Sequence, residues 1–375
     1  MQKTIFKNKL YSYWRNVDKK ILLSFIFLFF LGLFFSFSST SSLAGERLNK
    51  DYYFFFSKHL IFVIISLSVM FFVSFVETTI LKKMILPFFI IFFILLILVP
   101  LIGVEVKGAK RWLSLYFFRL QPVELIKPFF ILISAQILAN NKNFKTSYLF
   151  SFFILVSIVI LLINQPDIGQ TILIITTWIS VVFISGFSIF YIVGIFLTLF
   201  GSVAMMIIIF PNKFGYIVNR LITFMDPTKG DSFQTDKALD AIKQGGLKGQ
   251  GMGEGILKEN VPEAHTDYII AVIAEEFGSI ISILIVVIFL YVSFRIIKIS
   301  ILEKDENIKI SLCGLASLLI FQTFIHIGVN TSLLPTTGMT LPFLSYGGSS
   351  LLGSALLAGV ILNFTKNRFI DDDIL

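Results

Sequence analysis

The sequence has few of the charged side chains that soluble proteins turn toward water. Charged residues make up 14% of the 375-residue chain, while apolar residues make up 56%. Soluble domains carry about 25% charged residues, so a soluble globular domain is excluded. The mean hydropathy of +0.88 indicates instead an integral membrane protein that crosses the bilayer several times.

Cysteine is almost absent as well, since Cys313 is the only one in the chain. A single cysteine excludes a disulfide within the chain and argues against a cysteine-based metal site. The formal net charge of +8 comes mainly from lysines in loops between apolar runs, without a basic stripe that alternates with aromatic residues. Nucleic acid is therefore not a predicted partner, and membrane topology accounts better for the positive charge.

The beginning of the chain predicts its orientation. Residues 1–20 carry six Lys or Arg residues directly before an uncharged run at 21–45, which is long enough to cross about 30 Å of hydrocarbon. Positive residues beside a first span stay in the cytoplasm, so we expect a cytoplasmic N-terminal tail. A cleaved signal peptide is the alternative, because SLA at 42–44 resembles a cleavage site.

Further apolar runs predict an all-α polytopic membrane protein with about ten transmembrane helices. We divide the chain into a tail at 1–20, a membrane domain at 21–365 and a cytoplasmic C-terminal tail at 366–375. A run of 45 uncharged residues at 168–212 is split into two spans by SGFS at 185–188. The other predicted spans after the first lie near 60–76, 84–104, 122–141, 146–164, 268–294, 310–329 and 342–363.

The fourth span carries charges whose position is informative. Between Lys127 and Lys142 lie 14 uncharged residues, about 21 Å of helix, which is too short to cross a bilayer. The helix must therefore begin earlier, with Pro122 in its first turn, and include Glu124. Glu124 and Lys127 share a helix face, so we expect them to pair in a polar cavity between helices. A pair that reaches the membrane interface is the alternative.

Polar residues concentrate in one segment, residues 211–267, which we predict to be a large extracytoplasmic loop. Residues 233–244 within it favour a short amphipathic helix. Six glycines crowd into residues 245–255, but their spacing does not match the G-x-G-x-x-G dinucleotide pattern. We interpret this glycine-rich stretch as a flexible loop that closes over a site.

Irregular backbone is predicted before the last span, where residues 334–350 contain two prolines and three glycines. Such backbone occurs at membrane depth only where it is buried in protein or lines a cavity. The SYGGSS run at 345–350 can present N–H groups and hydroxyls at a helix start, which suits a phosphate group. A tight helix-packing turn of small residues is the alternative.

Two further polar residues favour structural roles. Asp167 precedes a predicted helix and is expected to be its N-cap. His326 stands alone on an apolar helix, and we expect it to bond a neighbouring helix rather than a ligand.

Chemistry is expected at residues 261–278, where a polar run gives way to an apolar helix. This stretch places Glu263, His265 and Asp267 at a membrane edge, and ionisable residues in such places are candidates for function. The alternative is an interfacial helix start that is capped by Thr266 or Asp267.

Five longer motifs follow one another along the chain. They are GAKRWL at 108–113, QPVE at 121–124 with Lys127, QPDIG at 165–169, PEAHTD at 262–267 and LPFLSYGGSS at 341–350. In this order they resemble the SEDS family of bacterial cell-wall polymerases, and the match spans nearly the whole chain. PEAHTD, together with LPTTG at 334–338, resembles the division branch of the family more than the elongation branch.

The resemblance implies a peptidoglycan glycosyltransferase with ten transmembrane helices. Such an enzyme polymerises lipid II into glycan strands at the outer face of the bacterial cytoplasmic (inner) membrane, here during septal cell-wall synthesis in cell division. The implied partners are a class B penicillin-binding protein, whose transpeptidase crosslinks the glycan, and other divisome proteins. A lipid II flippase, an elongation polymerase that serves cell shape and a structural scaffold for division proteins are the alternatives.

Carried over by motif, the catalytic residue is Asp267, acting as a general base on the acceptor sugar hydroxyl in an inverting reaction. The departing undecaprenyl diphosphate needs positive charge or N–H donors. No metal-ligating residue and no certain cofactor is implied, and a divalent cation, Mg²⁺ or Mn²⁺, is compatible with the reaction. The substrate-binding or orienting residues are Arg111, Glu124, Lys127, Glu263, His265, Ser345, Tyr346, Gly347, Gly348 and Ser349.

Two positions depart from the pattern of the family. Thr337 stands where a lysine is usual in the division branch, and Val123 replaces a frequent serine. The missing lysine removes a phosphate contact, for which Lys110 or Lys127 could compensate.

Overall fold

The computed structural model describes residues 11–39, 54–106, 108–116, 118–140, 144–191, 211–226 and 232–366, and scattered residues between 193 and 209. Long helices dominate this part of the chain. They are α1 (Lys19–Ser39), α2 (Phe54–Phe75), α3 (Thr78–Ile102), α4 (Pro122–Ala139), α5 (Phe144–Asn164), α6 (Ile168–Ile184), α7 (Pro211–Met225), α8 (Phe233–Gly245), α9 (Ile269–Ile301), α10 (Glu306–Asn330) and α11 (Gly348–Thr365).

The helical, polytopic architecture is confirmed. Within the described residues, eight helices are long and apolar enough to cross a membrane, and α6 is a shorter apolar helix. Helix α4 begins at Pro122, so it includes Glu124 as the distance to Lys142 required. The second span predicted in the 168–212 run lies largely outside the described residues, and the total of ten helices stays a prediction.

A small antiparallel sheet adds to the all-α prediction. It lies between α3 and α4 and has the order β1-β2-β3. Glu105 faces Lys110 across the first strand pair, and Gly108 supplies a φ of +77° between these strands. Hydropathy does not predict strands this short, because their residues are neither long apolar runs nor strictly alternating. The strands are β1 (Val104–Val106), β2 (Ala109–Leu115) and β3 (Phe118–Leu120).

The segment 211–267 is more structured than the predicted large loop. It contains α7, α8 and a 3₁₀ turn at Leu257–Asn260. Helix α8 coincides with the amphipathic helix predicted at 233–244, whose apolar Ala238 and Ala241 are fully buried. The prediction assigned α7 to the loop because of the polar residues that follow it. Helical spacing of its apolar residues was the available signal, at Phe214, Ile217, Val218, Leu221, Ile222 and Met225.

The glycine-rich stretch does not stand free as the predicted flexible cover. Helix α9 breaks at Gly278, where φ is +83°, so nearby carbonyls lose their partners within the helix. The carbonyl of Glu275 accepts a hydrogen bond from the N–H of Gln250 at 2.9 Å, and that of Glu276 from Gly251 at 3.0 Å. The loop thus supplies the bonds that the kink removed.

Bonds also run from α9 back to the same loop. The N–H groups of Ser279 and Ile280 donate to the carbonyls of Gly246 and Leu247 at 3.0 and 3.4 Å. We call residues 245–258 the glycine clasp, because they form hydrogen bonds with α9 on both sides of the kink. The clasp needs glycine where backbones touch: a Cβ on Gly249 would lie 2.2 Å from a carbonyl oxygen of α9.

Buried charged side chains bind the C-terminal end of the glycine clasp, at residues 257–258, to α9. The carboxylate of Glu275 accepts from the N–H groups of Leu257 and Lys258, both at 2.7 Å. The ammonium of Lys258 pairs with Glu276, and all three side chains have little or no exposure. These bonds hold the first segment of α9, at 269–277, against the clasp.

Helices α4 and α11 form the centre of the bundle. In each, 83% of the residues are buried inside the protein, against 22% in α2 and α3. Polar residues on α4 and at the start of α11 therefore face other helices rather than lipid. This is where the motif residues collect.

Candidate functional site

Arg111 on β2 binds the turn between α5 and α6. Its Nε donates to the carbonyl of Gln165 at 3.2 Å, and a second guanidinium nitrogen donates to the carbonyl of Pro166. The same Nε lies 3.8 Å from Asp167 Oδ2. The sheet that hydropathy missed thus positions a predicted substrate-binding residue.

Asp167 is the N-cap of α6, as predicted. Its Oδ1 accepts from the N–H of Gln170 at 3.4 Å. The carboxyl group is 1% exposed. Burial raises the pKa of Asp167, and the charge of Arg111 opposes that rise.

Asp267 and Arg111 meet beside Gly338. Asp267 Oδ2 lies 3.5 Å, and Arg111 Nη1 3.8 Å, from the position that a Cβ on Gly338 would occupy. Gly338 has a φ of +69°, which favours glycine, and its missing side chain leaves room between the two charged groups. The main-chain carbonyl of Asp267 is held by Asn330 Nδ2 at 2.9 Å.

The Asp267 side chain is not needed to start a helix. Helix α9 has Tyr268 as its N-cap and no side-chain cap, so the alternative in which Thr266 or Asp267 caps it is wrong. Asp267 is partly exposed, whereas Tyr268 is 2% exposed. Burial raises the pKa of the Tyr268 phenol, and the neighbouring charge of Asp267 adds to the rise.

Glu263 shapes the turn that leads to Asp267. It has a φ of +55°, unusual for a residue with a side chain. Its carboxylate accepts from Thr266 Oγ1 at 2.9 Å, and its carbonyl from the N–H of Tyr268 at 3.2 Å. Glu263 therefore fixes the direction in which the chain approaches Asp267.

The turn at 263–267 is joined to the 345–350 turn. The carbonyl of His265 accepts from the N–H of Tyr346 at 2.9 Å, and the carbonyl of Thr266 accepts from Ser345 Oγ at 2.6 Å. The imidazole of His265 lies against the Tyr346 ring, with centroids 5.6 Å apart. Two motifs far apart in the chain thus form one surface.

Glu124 and Lys127 pair as predicted, 2.8 Å apart and nearly inaccessible to solvent. Lys127 Nζ also donates to Gln322 Oε1 at 3.1 Å, and Gln170 Nε2 donates to Glu124 Oε1 at 2.6 Å. The pair lines a cavity of about 10 Å³, roughly the space for one water molecule. The alternative, a pair at the membrane interface, is wrong.

The start of α11 uses its serines to hold neighbours. Ser349 Oγ accepts from the N–H of Gln121 at 2.9 Å, and Ser345 Oγ accepts from the N–H of Leu341 at 2.8 Å. Gly347 and Gly348 are partly exposed. The two glycines are therefore the accessible part of the predicted phosphate seat.

Several residues of this network were missed by sequence reasoning. Gln322 and Asn330 on α10 bond Lys127 and Asp267, and Arg220 on α7 donates to the carbonyl of Thr336 at 3.0 Å. Polar residues inside an otherwise apolar helix were the available signal for the first two. No local signal marks Arg220.

His326 and Thr337 are both buried. His326 Nδ1 donates to the carbonyl of Met339 at 2.8 Å, in the segment between α10 and α11 rather than in a neighbouring helix as predicted. Its Nε2 is buried and has no hydrogen-bond partner among the described residues. Thr337 is 6% exposed and packs against Gly169. Lys110 is exposed on β2, so the described structure does not bring it into the network around Lys127.

Among the described residues, no group of three or more His, Cys, Asp or Glu side chains is arranged to hold a metal ion.

Known proteins are similar to this chain along most of its length. A sequence model of the FtsW/RodA/SpoVE family, described as "Cell cycle protein", matches residues 19–369. A "Probable peptidoglycan glycosyltransferase FtsW" of Caulobacter vibrioides is 33% identical over 362 residues, covering 95% of this chain and 91% of the relative. Its namesake in Pasteurella multocida is 32% identical over 367 residues, covering 94% and 91%.

Solved structures share the fold. A chain described under "Structural coordination of polymerization and crosslinking by a peptidoglycan synthase complex" has a TM-score of 0.76 at 24% identity, covering 94% of this chain and 98% of that chain. The rod shape determining protein RodA of Thermus thermophilus has a TM-score of 0.70 at 22% identity, covering 94% and 97%.

Proposed function

Because this chain belongs to the FtsW/RodA/SpoVE family of cell cycle proteins, we propose that it polymerises lipid II into glycan strands with Asp267 as the catalytic base. It is a multi-pass membrane protein and a peptidoglycan glycosyltransferase. The names of its relatives support polymerisation over translocation of lipid II by a flippase. The observation that carries the mechanism is the meeting of Asp267 and Arg111 beside Gly338.

The first chemical task falls to Asp267. A sugar hydroxyl is a weak nucleophile, and a carboxylate within hydrogen-bond reach takes its proton as the oxygen attacks C1 of the donor sugar. Attack from the face opposite the leaving group inverts the configuration at C1. Asp267 is partly exposed and its backbone is fixed by Asn330, which suits a group that must meet a substrate from a defined direction.

The second task is to stabilise the departing undecaprenyl diphosphate. Arg111 offers a guanidinium close to Asp267, and Gly347 and Gly348 offer N–H groups at the start of α11. Both kinds of donor stabilise a developing negative charge. Other residues orient these groups: Glu263 holds its own turn, His265, Ser345 and Tyr346 join the two turns, and Ser349 bonds Gln121.

Glu124 and Lys127 stand apart from this surface. Their nearly complete burial and mutual bond support a role in holding α4, α6 and α10 together. The alternative role for Lys127 is a direct contact with the diphosphate.

The cellular setting is also part of the proposal. Orientation by the positive N-terminal tail puts the Asp267 surface at the outer face of the cytoplasmic membrane, where lipid-linked sugars are polymerised. Similarity to a chain of a peptidoglycan synthase complex supports a partner that crosslinks glycan, a class B penicillin-binding protein. The division-type relatives support action at the septum with other divisome proteins.

The deciding experiment is lipid II polymerisation by the full chain purified with its class B partner. Wild type should make glycan, and Asp267→Asn, which keeps the shape but loses the base, should be slower by about 10²- to 10⁴-fold. Asp240→Asn, on the exposed face of α8, is the matched control and should retain the wild-type rate. Parallel reactions with Mg²⁺, Mn²⁺ or a chelator test the divalent cation.

Normal polymerisation by Asp267→Asn would falsify the assignment of the base. Binding of lipid II by the wild type without any glycan product would reject polymerisation. Translocation of lipid II in liposomes would then be measured.

A further inference from the structure

Helices α2 and α11 run parallel and in direct contact. A Cβ on Gly348 would lie 2.5 Å from Phe62 Cε1, and one on Gly359 would lie 2.8 Å from Val73 Cβ. The spacing from Phe62 to Val73 in α2 equals the spacing from Gly348 to Gly359 in α11, which fixes the register of the two helices. His59 precedes Phe62 by one helical turn on the same face, so it lies about 4.5 Å further out, beyond the first residue of α11.

His59 is a buried polar group without a partner. Its side chain is 0% exposed, and neither ring nitrogen has a hydrogen-bond partner among the described residues. Its ring lies 5.8 Å from the ring of Tyr346, which also lies 5.6 Å from the ring of His265 and 5.8 Å from that of Phe55. Leaving a buried polar group unpaired is unfavourable, so two unpaired ring nitrogens beside an exposed turn mark a candidate site for a bound ligand.

The N-terminus of α11, next to His59, has unpaired donors. Its N-cap, Gly347, makes no side-chain cap. The N–H groups of 347–350 have no acceptor within the part of the chain that the structure describes. An uncapped helix N-terminus with open N–H groups attracts phosphate through both hydrogen bonds and the helix dipole.

We propose that His59 and the N-terminus of α11 form a diphosphate-binding subsite. The inference rests on the proposed function, because a polyprenyl diphosphate is the leaving group of that reaction. Tyr346 is the cover of the subsite: its ring lies over His59 and is itself partly exposed, as are Gly347 and Gly348. Rotation of the Tyr346 side chain brings a ring nitrogen of His59 within reach of an anion bound at the N–H groups.

The diphosphate has two sources, a lipid-linked diphosphate and free inorganic pyrophosphate. The chain contains three histidines, so ¹⁵N-histidine labelling of the full chain in nanodiscs gives three sets of ring signals. Titration uses two probes separately, inorganic pyrophosphate and farnesyl diphosphate. We expect the His59 signals, assigned by their loss in His59→Phe, to shift as the probe binds.

Affinity provides the second readout. A hydrogen bond to a charged group accounts for about tenfold or more in binding, so His59→Phe should bind the probe at least about tenfold more weakly. Ser66→Ala is the matched control, because Ser66 is also buried and unpaired on the same face of α2 but lies two turns deeper. Its affinity should equal that of the wild type. His59→Gln retains a donor and should bind with intermediate affinity.

The results distinguish a lipid-linked diphosphate from free pyrophosphate, and they distinguish failure of the subsite from failure of the proposed function. Binding of both probes assigns the site to the diphosphate group alone, and binding of farnesyl diphosphate only assigns it to the lipid-linked form. Unshifted His59 signals with both probes, or equal affinity in a folded His59→Phe, overturn the subsite. Diphosphate binding through His59 by a chain that makes no glycan would reject the proposed function and leave the subsite standing.

Discussion

Individual charged residues in this protein divide into accessible and buried groups. Asp267 is partly exposed and shares the space beside Gly338 with Arg111, whereas Glu124 and Lys127 are enclosed by three helices. Exposure decides which charges can reach a substrate, since a buried ion pair is already occupied by its partner. The same residue types therefore serve different purposes a short distance apart.

Lys127→Met tests whether the buried pair is structural. Removal of one partner leaves the Glu124 carboxylate unpaired in the interior, which costs about 3–5 kcal/mol. We expect the melting temperature and the yield of folded protein to fall together with activity. The measurements are thermal unfolding in detergent and polymerisation per amount of folded protein.

The control for that experiment removes both charges. Glu124→Gln combined with Lys127→Met should restore most of the melting temperature, because no buried charge is left unpaired. Loss of activity in a Lys127→Met protein of unchanged stability would contradict the structural role and support a diphosphate contact.

At the scale of an element, the kink in α9 and the glycine clasp at 245–258 depend on each other. A helix that breaks at Gly278 leaves carbonyls and N–H groups without partners, and the clasp satisfies four of these groups. The clasp also ends in buried bonds to Glu275 and Glu276. Its glycines permit contact between backbones, so their number reflects packing rather than mobility.

Gly249→Ala tests this interpretation of the clasp. The added Cβ would lie 2.2 Å from the carbonyl oxygen of Glu276, so the loop must separate from α9. Gly253→Ala is a close control, because the two glycines have φ of +83° and +84° but Gly253 has nothing within 4 Å of its Cβ position. The positive φ costs each variant about 1–2 kcal/mol.

Thermal unfolding should show a larger loss for Gly249→Ala than for Gly253→Ala. Hydrogen exchange should also increase at residues 269–277 in Gly249→Ala alone, since these residues lose the support of the clasp. Equal losses in the two variants would show that only backbone strain matters at these glycines and that the clasp does not support α9.

For the whole molecule, the motif residues collect at one end of the bundle. Arg111, Asp167, Asp267 and Tyr346 all lie in segments that join helices. Contacts of Arg111 with the 165–167 turn, of Arg111 and Asp267 with Gly338, and of Tyr346 with His265 bring those segments together. The 302–305 connection between α9 and α10 lies on the opposite side. A polymerase that works on one membrane face requires such an arrangement.

Cysteine labelling tests the proposed orientation. The native Cys313 is buried, so background labelling by a membrane-impermeant maleimide should be low. Tyr116→Cys, at a position 98% exposed beside β2, should be labelled from outside intact cells. Leu302→Cys, at a position 75% exposed, should be labelled only after the membrane is opened. The reverse pattern would place the Asp267 surface in the cytoplasm.

The sequence by itself determined the properties that depend on neighbours in the chain. Hydropathy established that this is a membrane protein, because long apolar runs must be buried in lipid or protein whatever the rest of the chain does. The distance from Lys127 to Lys142 required α4 to begin near Pro122, and the position of Asp167 before an apolar run predicted its N-cap. Five motifs in order identified the family, and the resemblance predicted Asp267 as the catalytic residue.

Only the tertiary structure decided which distant residues meet. Arg111 reaches the 165–167 turn because a sheet too short for hydropathy to detect holds it there. His59 lies at the start of α11 because α2 and α11 run parallel in one register. These contacts depend on how the helices pack, and packing depends on shape complementarity between distant segments. The sequence of one segment carries no local signal of the segment that it will contact.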